Sequence, residues 1–498
     1  MRKGHLYFLQ FLMLLGSICA KPARKPSAQY EANNPVNHSH SMTKIQFKEK
    51  FMSSIEGIEY NEMHFLTMYF SSRVLKWNYM FVYPSEKTPD EKKTKMFVYT
   101  ESDSVLESAI VLNDTIDISK DLSDLHKKIN QKKNNVYLEE STFQEAGKLC
   151  IPFTNKQLGY SNPKSFSTWL PRFIYPKDLI TWMLSKEKPF IPEKSEIEKK
   201  LPVITPAFVL DAQEYINNTE ESAVVTWLGH ASALVTISGI NILADPVFSK
   251  RASSFPNTIG PIRHVPPPCT AEALPVVHAV LISHSHHDHF DPEAVKVISK
   301  KSPDAVWFVP LGFDAHLMQY DIKNIVCMGW GEIKTHTYTL ESGKKRRIKV
   351  TSVPAQHWGC RTGIDIFREL WCGWIATVSD AKDRSISKTM YFAGDTGMCR
   401  KEFLKIGMWF NIDLALIPIG CYEPSWFIYP QHISPKEALI LHQIIKAKKS
   451  VAIHWGTYDM GTTEDFLQPR DDLIRDREAL GIDSSEFITV CPGELIPF

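Results

Sequence analysis

The densest run of metal-binding side chains in the chain is Ile282-Ser283-His284-Ser285-His286-His287-Asp288-His289-Phe290-Asp291, an H-x-H-x-D-H pattern. Imidazole and carboxylate donors suit zinc, and also iron or manganese. Held on a loop at a strand end, such a cluster can point at two adjacent ions. Crowding these titratable groups together without a metal would be costly, so a plain His-rich surface turn is disfavoured. Three more donors fit the same chemistry. His357 lies in Val353-Pro354-Ala355-Gln356-His357-Trp358. Asp395 lies in Phe392-Ala393-Gly394-Asp395-Thr396-Gly397, and His454 in Ile453-His454-Trp455-Gly456.

Each donor follows an apolar run, which is where a rigid sheet emerges into a loop and can hold a site. From about residue 202 the chain alternates such runs with helix signals. Strands are expected over Ala223–Trp227, Ala233–Ile237, Ile240–Leu243, Ala279–Ile282, Val306–Val309, Ile348–Val353, Met390–Ala393, Leu414–Ile419 and Ser450–Ile453. Asp291-Pro292 opens one helix. Ser434-Pro435-Lys436-Glu437 opens another, with a capping box and proline at the first helical position. Strands mixed with helices over some 300 residues indicate one α/β-type domain.

Upstream, residues 158–200 crowd Tyr160, Phe166, Trp169, Phe173, Tyr175, Trp182 and Phe190 among prolines. Leu179, Trp182, Met183 and Lys186 fall at helical spacing after Pro176. This arm either packs on the main domain or forms a short amphipathic element against lipid. Residues 43–157 carry no chemistry-bearing motif, although Met63–Met68 and Trp77–Tyr83 suit strands or a short helix. Residues 21–42 have the composition of a polar leader, and His38-Ser39-His40 within it lacks a leading strand or a following acid. Met1–Ala20 has a basic start and an apolar stretch too short for a span of about 20 residues. A signal peptide is expected there, with a signal anchor or a buried helix as the alternatives. Removing Cys19 leaves an even eight of the nine cysteines, and sequons stand at Asn37, Asn113 and Asn217, both compatible with the secretory pathway.

The chain has 498 residues, with 57 Lys plus Arg against 56 Asp plus Glu. This near-neutral balance argues against nucleic acid as a partner. Hydrophobic residues at 43% and charged residues at 23% exclude a largely disordered chain. There is no C-x-x-C pair to support a thiolate zinc finger.

The ordered set H-x-H-x-D-H, His, Asp, His resembles the metallo-β-lactamase superfamily. More narrowly, several motifs are similar to the N-acylphosphatidylethanolamine-hydrolysing phospholipase D family. They are Trp227-Leu228-Gly229-His230-Ala231-Ser232, Asp245-Pro246-Val247-Phe248-Ser249-Lys250-Arg251-Ala252-Ser253, Gly260-Pro261, Ala355-Gln356-His357-Trp358, Pro418–Phe427, Gln431-His432 and Ala452–Thr457. Asn162-Pro163, Ser167-Thr168-Trp169 and Leu201-Pro202-Val203 extend the likeness, so it covers residues 158–498 and leaves 1–157 outside.

The resemblance implies an α+β or α/β chain with a four-layer αβ/βα sandwich and two Zn2+ ions. His284, His286 and His357 would hold one ion. Asp288, His289 and His454 would hold the other, and Asp395 would bridge them. It implies hydrolysis of N-acylphosphatidylethanolamine to phosphatidic acid and an N-acylethanolamine, through a metal-bridging hydroxide that Asp288 helps orient. It also implies a phospholipid partner at a membrane surface and a homodimer. The outer nitrogen of a ligand histidine needs an acceptor, for which Asp245 is the first choice. His230 either supports the site or satisfies a buried strand end. Gln431 and His432 resemble positions near the substrate, and Trp358, Tyr422, Trp426 and Phe427 either line an acyl groove or pack in the core. Cys360, Cys399 and Cys421 lie near the motifs as packing residues or disulfide partners. A second reading keeps the fold but changes the substrate to a lactone, a thioester or a soluble phosphodiester. A non-catalytic lipid-binding protein would have lost ligands, and none is lost.

Overall fold

The computed structural model describes residues 77–84, 93–102, 105–117, 143–150, 157–171, 175–185, 188–253, 260–382 and 387–498. The expected signal segment, the polar leader, His38-Ser39-His40, Met63–Met68, Cys19 and Asn37 lie outside the described residues. Two compact units divide them. The smaller contains β1 (Trp77–Pro84), β2 (Lys93–Ser102) and β3 (Val105–Asp117), an antiparallel sheet in that order, and Asn113 falls in β3.

Among the described residues, the larger unit opens with a hairpin, in which β4 (Gly147–Cys150) pairs with β5 (Gln157–Ser161). Helix α1 (Pro176–Ser185) forms where the spacing after Pro176 predicts it, followed by α2 (Lys194–Lys200), α3 (Ala207–Leu210) and α4 (Ala212–Thr219). Asn217 is exposed on α4.

Two seven-stranded sheets follow. The first contains β6 (Ala223–Gly229), β7 (Ser232–Ile237), β8 (Ile240–Ala244) and β9 (Ala279–Leu281). Helix α5 (Pro292–Lys301) leads to β10 (Val306–Pro310), and α6 (Asp314–Leu317) to β11 (Asn324–Met328). The second contains β12 (Ile333–Thr339), β13 (Lys345–Val353), β14 (Gly373–Asp380) and β15 (Ser387–Phe392). Helix α7 (Arg400–Trp409) precedes β16 (Leu414–Pro418), and α8 (Ser425–Ile428) and α9 (Pro435–Ile445) precede β17 (Lys449–Ile453). Helix α10 (Gln468–Ala479) leads to β18 (Phe487–Ile488), and β19 (Leu495–Pro497) returns to pair with β6 at the edge of the first sheet. Both sheets mix parallel and antiparallel neighbours: β8, β9 and β10 run parallel, as do β15, β16 and β17.

The strands of the first sheet are apolar on both faces because both faces are covered. Val225 and Trp227 of β6, Val235 of β7 and Leu281 of β9 point into the core shared with Ile348, Val350, Trp374 and Ala376 of the second sheet. Their neighbours Val224, Leu234 and Val280 pack on the other side against Val295 and Ile298 of α5 and Tyr215 of α4. On the far side of the second sheet, Phe403 of α7 and Leu439 of α9 join the central core. The layers are therefore helix, sheet, sheet, helix, the metallo-β-lactamase arrangement.

Both helix starts expected from the sequence are present. Asp291 caps α5, accepting the N–H of Glu293 at 3.1 Å. Ser434 and Glu437 bond reciprocally at 3.3 and 3.0 Å to complete the capping box of α9. Cys269, Cys327, Cys360, Cys372, Cys399, Cys421 and Cys491 are free thiols, so Cys360, Cys399 and Cys421 are packing residues rather than disulfide partners.

Candidate metal centre

Every candidate donor sits just past the C-terminal end of a strand, and both sheets contribute. His284 follows β9, His357 follows β13, Asp395 follows β15 and His454 follows β17. The loops are tight. His230, Asp245, Cys421 and His454 adopt positive φ of 53°, 34°, 64° and 62°, conformations that only a well-supported backbone sustains. Gly394 has φ +60°, and a Cβ there would come within 2.7 Å of the Ser283 Cβ, so only glycine lets the Asp395 loop lie against the H-x-H segment.

The donors gather in two adjoining groups. His284 Nε2 and His357 Nε2 lie 2.9 and 3.2 Å from His286 Nδ1. In the second group, Asp288 Oδ2 lies 3.4 Å from His289 Nε2 and 3.3 Å from His454 Nε2. A single oxygen, Asp395 Oδ2, faces both. It is 3.0 and 3.2 Å from His289 and His454, and 3.8 Å from both His284 and His357.

The tautomers follow from the outer partners. His357 Nδ1 donates to the backbone carbonyl of Gln431 at 3.0 Å, which leaves Nε2 as a lone pair facing inward. His289 Nδ1 donates to Asp245 Oδ2 at 2.6 Å, which turns Nε2 inward. Ser283 donates to the same carboxylate through its amide at 2.7 Å and its hydroxyl at 2.5 Å, and that hydroxyl also meets His284 Nδ1 at 2.9 Å.

Inside this shell, His289 Nε2 and His454 Nε2 are buried without a hydrogen-bond partner. Buried polar atoms are ordinarily paired. Together with His284 Nε2, His286 Nδ1, His357 Nε2 and the carboxylates of Asp288 and Asp395, they form the donor set of a pair of divalent metal ions, and these residues fit that group.

Electrostatics divide the donors. Burial would lower His289, but without an ion Asp395 and Asp288 hold it well above the ordinary imidazole range, so an ion there displaces a proton. Burial, reinforced by neighbouring histidines, pushes His284 well below the ordinary imidazole range, and burial pushes His286 and His357 down to about 3. These rings are neutral and able to ligate at neutral pH. Burial would also lower His454, but the carboxylates of Asp395 and Asp288 outweigh it and hold the ring up at about 9. Burial would raise Asp288 and Asp395. The adjoining histidines, His289 foremost, reverse this and keep both carboxyls well below their usual range.

The remaining expected residues divide. Asp245 is wholly buried and bonded to His289, as its place on a strand end suggests. His230 Nε2 meets Asp288 Oδ2 at 2.9 Å, while its carbonyl accepts the His454 N–H at 2.8 Å. It therefore touches two donors of the second group. His432 is buried with Nδ1 3.9 Å from Asp395 Oδ2. Gln431 acts through its backbone carbonyl on His357, while its side chain accepts from the Trp358 indole at 2.5 Å. Tyr422 is buried, and its hydroxyl donates to Asp472 of α10 at 2.5 Å.

Other contributors carry no local signal. Asn162 Nδ2 donates to the His357 carbonyl at 2.7 Å, and Thr168 Oγ1 to Gln356 Oε1 at 2.9 Å. The first part of the aromatic arm is thus scaffolding for His357. Only proximity in space reveals such partners.

A family model described as a Beta-lactamase superfamily domain matches residues 240–455. The N-acyl-phosphatidylethanolamine-hydrolyzing phospholipase D 1 of Caenorhabditis elegans is 38% identical over 348 residues, covering 68% of this chain and 91% of that protein. The chain belongs to the N-acylphosphatidylethanolamine-hydrolysing phospholipase D family. A mitochondrial phospholipase D of the same description from Saccharomyces cerevisiae is 32% identical over 252 residues, half of each chain. Among solved structures, a metallo hydrolase from Ignicoccus hospitalis aligns with TM-score 0.38 at 20% identity, covering 56% of this chain and 98% of that one. This phospholipase D family member is a metal-dependent hydrolase of the metallo-β-lactamase fold, with buried His/Asp clusters that fit a binuclear centre.

Proposed function

We propose that the chain hydrolyses N-acylphosphatidylethanolamine to phosphatidic acid and an N-acylethanolamine, using two zinc ions. The observation that carries this is the pair of donor groups sharing Asp395 Oδ2, in a chain 38% identical to a phospholipase D of that printed specificity. His284, His286 and His357 would hold one ion, Asp288, His289 and His454 the other, and Asp395 both. Two ions so held, about 3.5–4 Å apart in such centres, would activate water and neutralise phosphate charge.

The chain's own groups do the rest. Asp288, anchored by His230, orients the attacking water. His432, buried beside Asp395 and His357, would meet the phosphate oxygens. Asp245 and the Gln431 carbonyl keep two imidazoles aimed inward.

Access from a lipid surface is supported by α1. Ile180 and Leu184 are one turn apart and exposed, at 44% and 84%. Trp182, on the same helix, stacks on Phe427 at 4.9 Å, and Phe427 adjoins the exposed Trp426. Peripheral binding through these side chains suits a site that must draw a phospholipid from a bilayer. Among the described residues, no helix is long and apolar enough to cross a membrane.

The test is to incubate zinc-loaded chain with N-acylphosphatidylethanolamine and identify products by mass spectrometry. Phosphatidic acid plus N-acylethanolamine is expected, falling to background in Asp395→Ala and His286→Ala. Wild type indistinguishable from those variants would overturn the assignment. About two zinc ions per chain are expected, and a value near one would refute the binuclear centre.

A further inference from the structure

Four candidate ligands, His284, His286, Asp288 and His289, ride on one short loop, so the shape of that loop sets most of the centre. A second loop, residues 359–369, lies against it and grips its main chain. Arg361 Nη1 donates to the carbonyls of Ser285 at 3.2 Å, His286 at 3.4 Å and Phe290 at 2.8 Å. Its guanidinium also lies over the Phe290 ring, 4.9 Å from the centroid. In return, the Arg361 carbonyl meets His287 Nε2 at 3.0 Å. One residue therefore holds the backbone on both sides of His286 and Asp288, together with the side chain between them.

Glu369 holds the same loop by a different group. Its Oε2 accepts the Ser285 hydroxyl at 3.1 Å, and its Oε1 is fixed by His316 at 2.8 Å. Close approach is built in. A Cβ on Gly359 would lie 2.9 Å from Ser285 Oγ, so glycine is what lets the two loops touch. Arg361 is itself steadied by Asp365, whose Oδ1 accepts its amide at 3.0 Å.

The choice of arginine has a physical reason. Among the described residues Arg361 forms no ion pair with a carboxylate. Its charge is met by carbonyl oxygens, and a guanidinium presents several donors in a rigid plane where an ammonium presents a point charge. Charge-assisted bonds of this kind are stronger than neutral ones. A loop shaped in advance binds an ion without first having to order itself.

We propose that Arg361 is a positioning residue of the metal centre, presetting the loop from His284 to Phe290 before any ion binds, with Glu369 as its counterpart on Ser285. This rests on the two donor groups being a metal centre.

The test reads metal alone. Wild type, Arg361→Lys, Arg361→Gln and Glu369→Gln are titrated with zinc(II) against a chromophoric chelator. The cobalt(II)-substituted proteins are compared by visible absorption. Hydrogen exchange across residues 284–290 is measured in the metal-free state. Arg361→Gln is expected to bind zinc about 10–100-fold more weakly, with a shifted cobalt spectrum and faster exchange in this loop. Arg361→Lys should recover part of the affinity, because a single ammonium can reach some of the carbonyls. Melting of the metal-free protein should change far less than metal affinity. Should Arg361→Gln fail to fold, Arg361→Lys and Glu369→Gln carry the decision. Variants with wild-type zinc affinity, cobalt spectrum and loop exchange would overturn the proposal while leaving the lipid hydrolase assignment intact. Wild type that takes up no ion would overturn both.

Discussion

His289 and Asp245 meet at 2.6 Å, Nδ1 to Oδ2, and neither side chain is exposed. Asp245 also takes both donors of Ser283, so one carboxylate ties a ligand histidine of the second group to the residue leading into the first. Asp245→Ala should weaken zinc binding about 10–100-fold, because the imidazole loses both its tautomer and its aim. Chelator competition on purified protein measures this. An unchanged affinity would contradict the role assigned to Asp245.

Asn162 reaches across from the aromatic arm to the carbonyl of His357 at 2.7 Å. Asn162→Ala leaves that buried carbonyl without its donor, a loss of about 1–3 kcal/mol. Urea denaturation of the metal-free chain should show the cost. Turnover should fall as well, since His357 is what the bond places. A variant as stable and as active as wild type would separate the arm from the site.

Asp365 links stability to pH. Burial alone would raise its carboxyl, but the amides of Thr362 and Arg361 and the thiol of Cys360 outweigh this and lower it from 3.8 to about 2. A carboxyl depressed on folding stabilises the chain above its unfolded value and loses that effect as pH falls through the folded value. Metal-free wild type should therefore exceed Asp365→Asn in stability near neutral pH, and the gap should close between about pH 4 and about pH 2. Denaturant midpoints of the two proteins over that range test it, and a constant gap would count against the linkage.

The capping box of α9 bonds to no candidate ligand and gives a stability control. Ser434→Ala removes the acceptor for the Glu437 amide and should cost about 1 kcal/mol, with zinc affinity unchanged. A thermal melt and a zinc titration on the same sample separate the two effects.

Local pattern made much of this molecule legible. Both helix starts with capping residues formed where expected, and so did the strands with apolar runs, because capping and burial on both sheet faces act over a few residues. Other strands escaped, the buried β14 among them. β12, nearly all exposed, reads Ile333-Lys-Thr-His-Thr-Tyr-Thr339 and is specified by its antiparallel pairing with β13 rather than by burial. Likewise the hairpin of β4 and β5 was not anticipated, since pairing between strands is invisible to composition.

The sequence alone determined which side chains could ligate metal, since donor type and the H-x-H-x-D-H spacing are local properties. Tertiary structure decided how they converge. Only folding could bring His357, Asp395 and His454 from separate strand ends to His284 and His289, and set one oxygen of Asp395 between the two groups. The same holds for the supporting residues. Asn162 and Arg361 act on backbone carbonyls far along the chain and Glu369 on the Ser285 hydroxyl, and nothing in local sequence says which groups they hold.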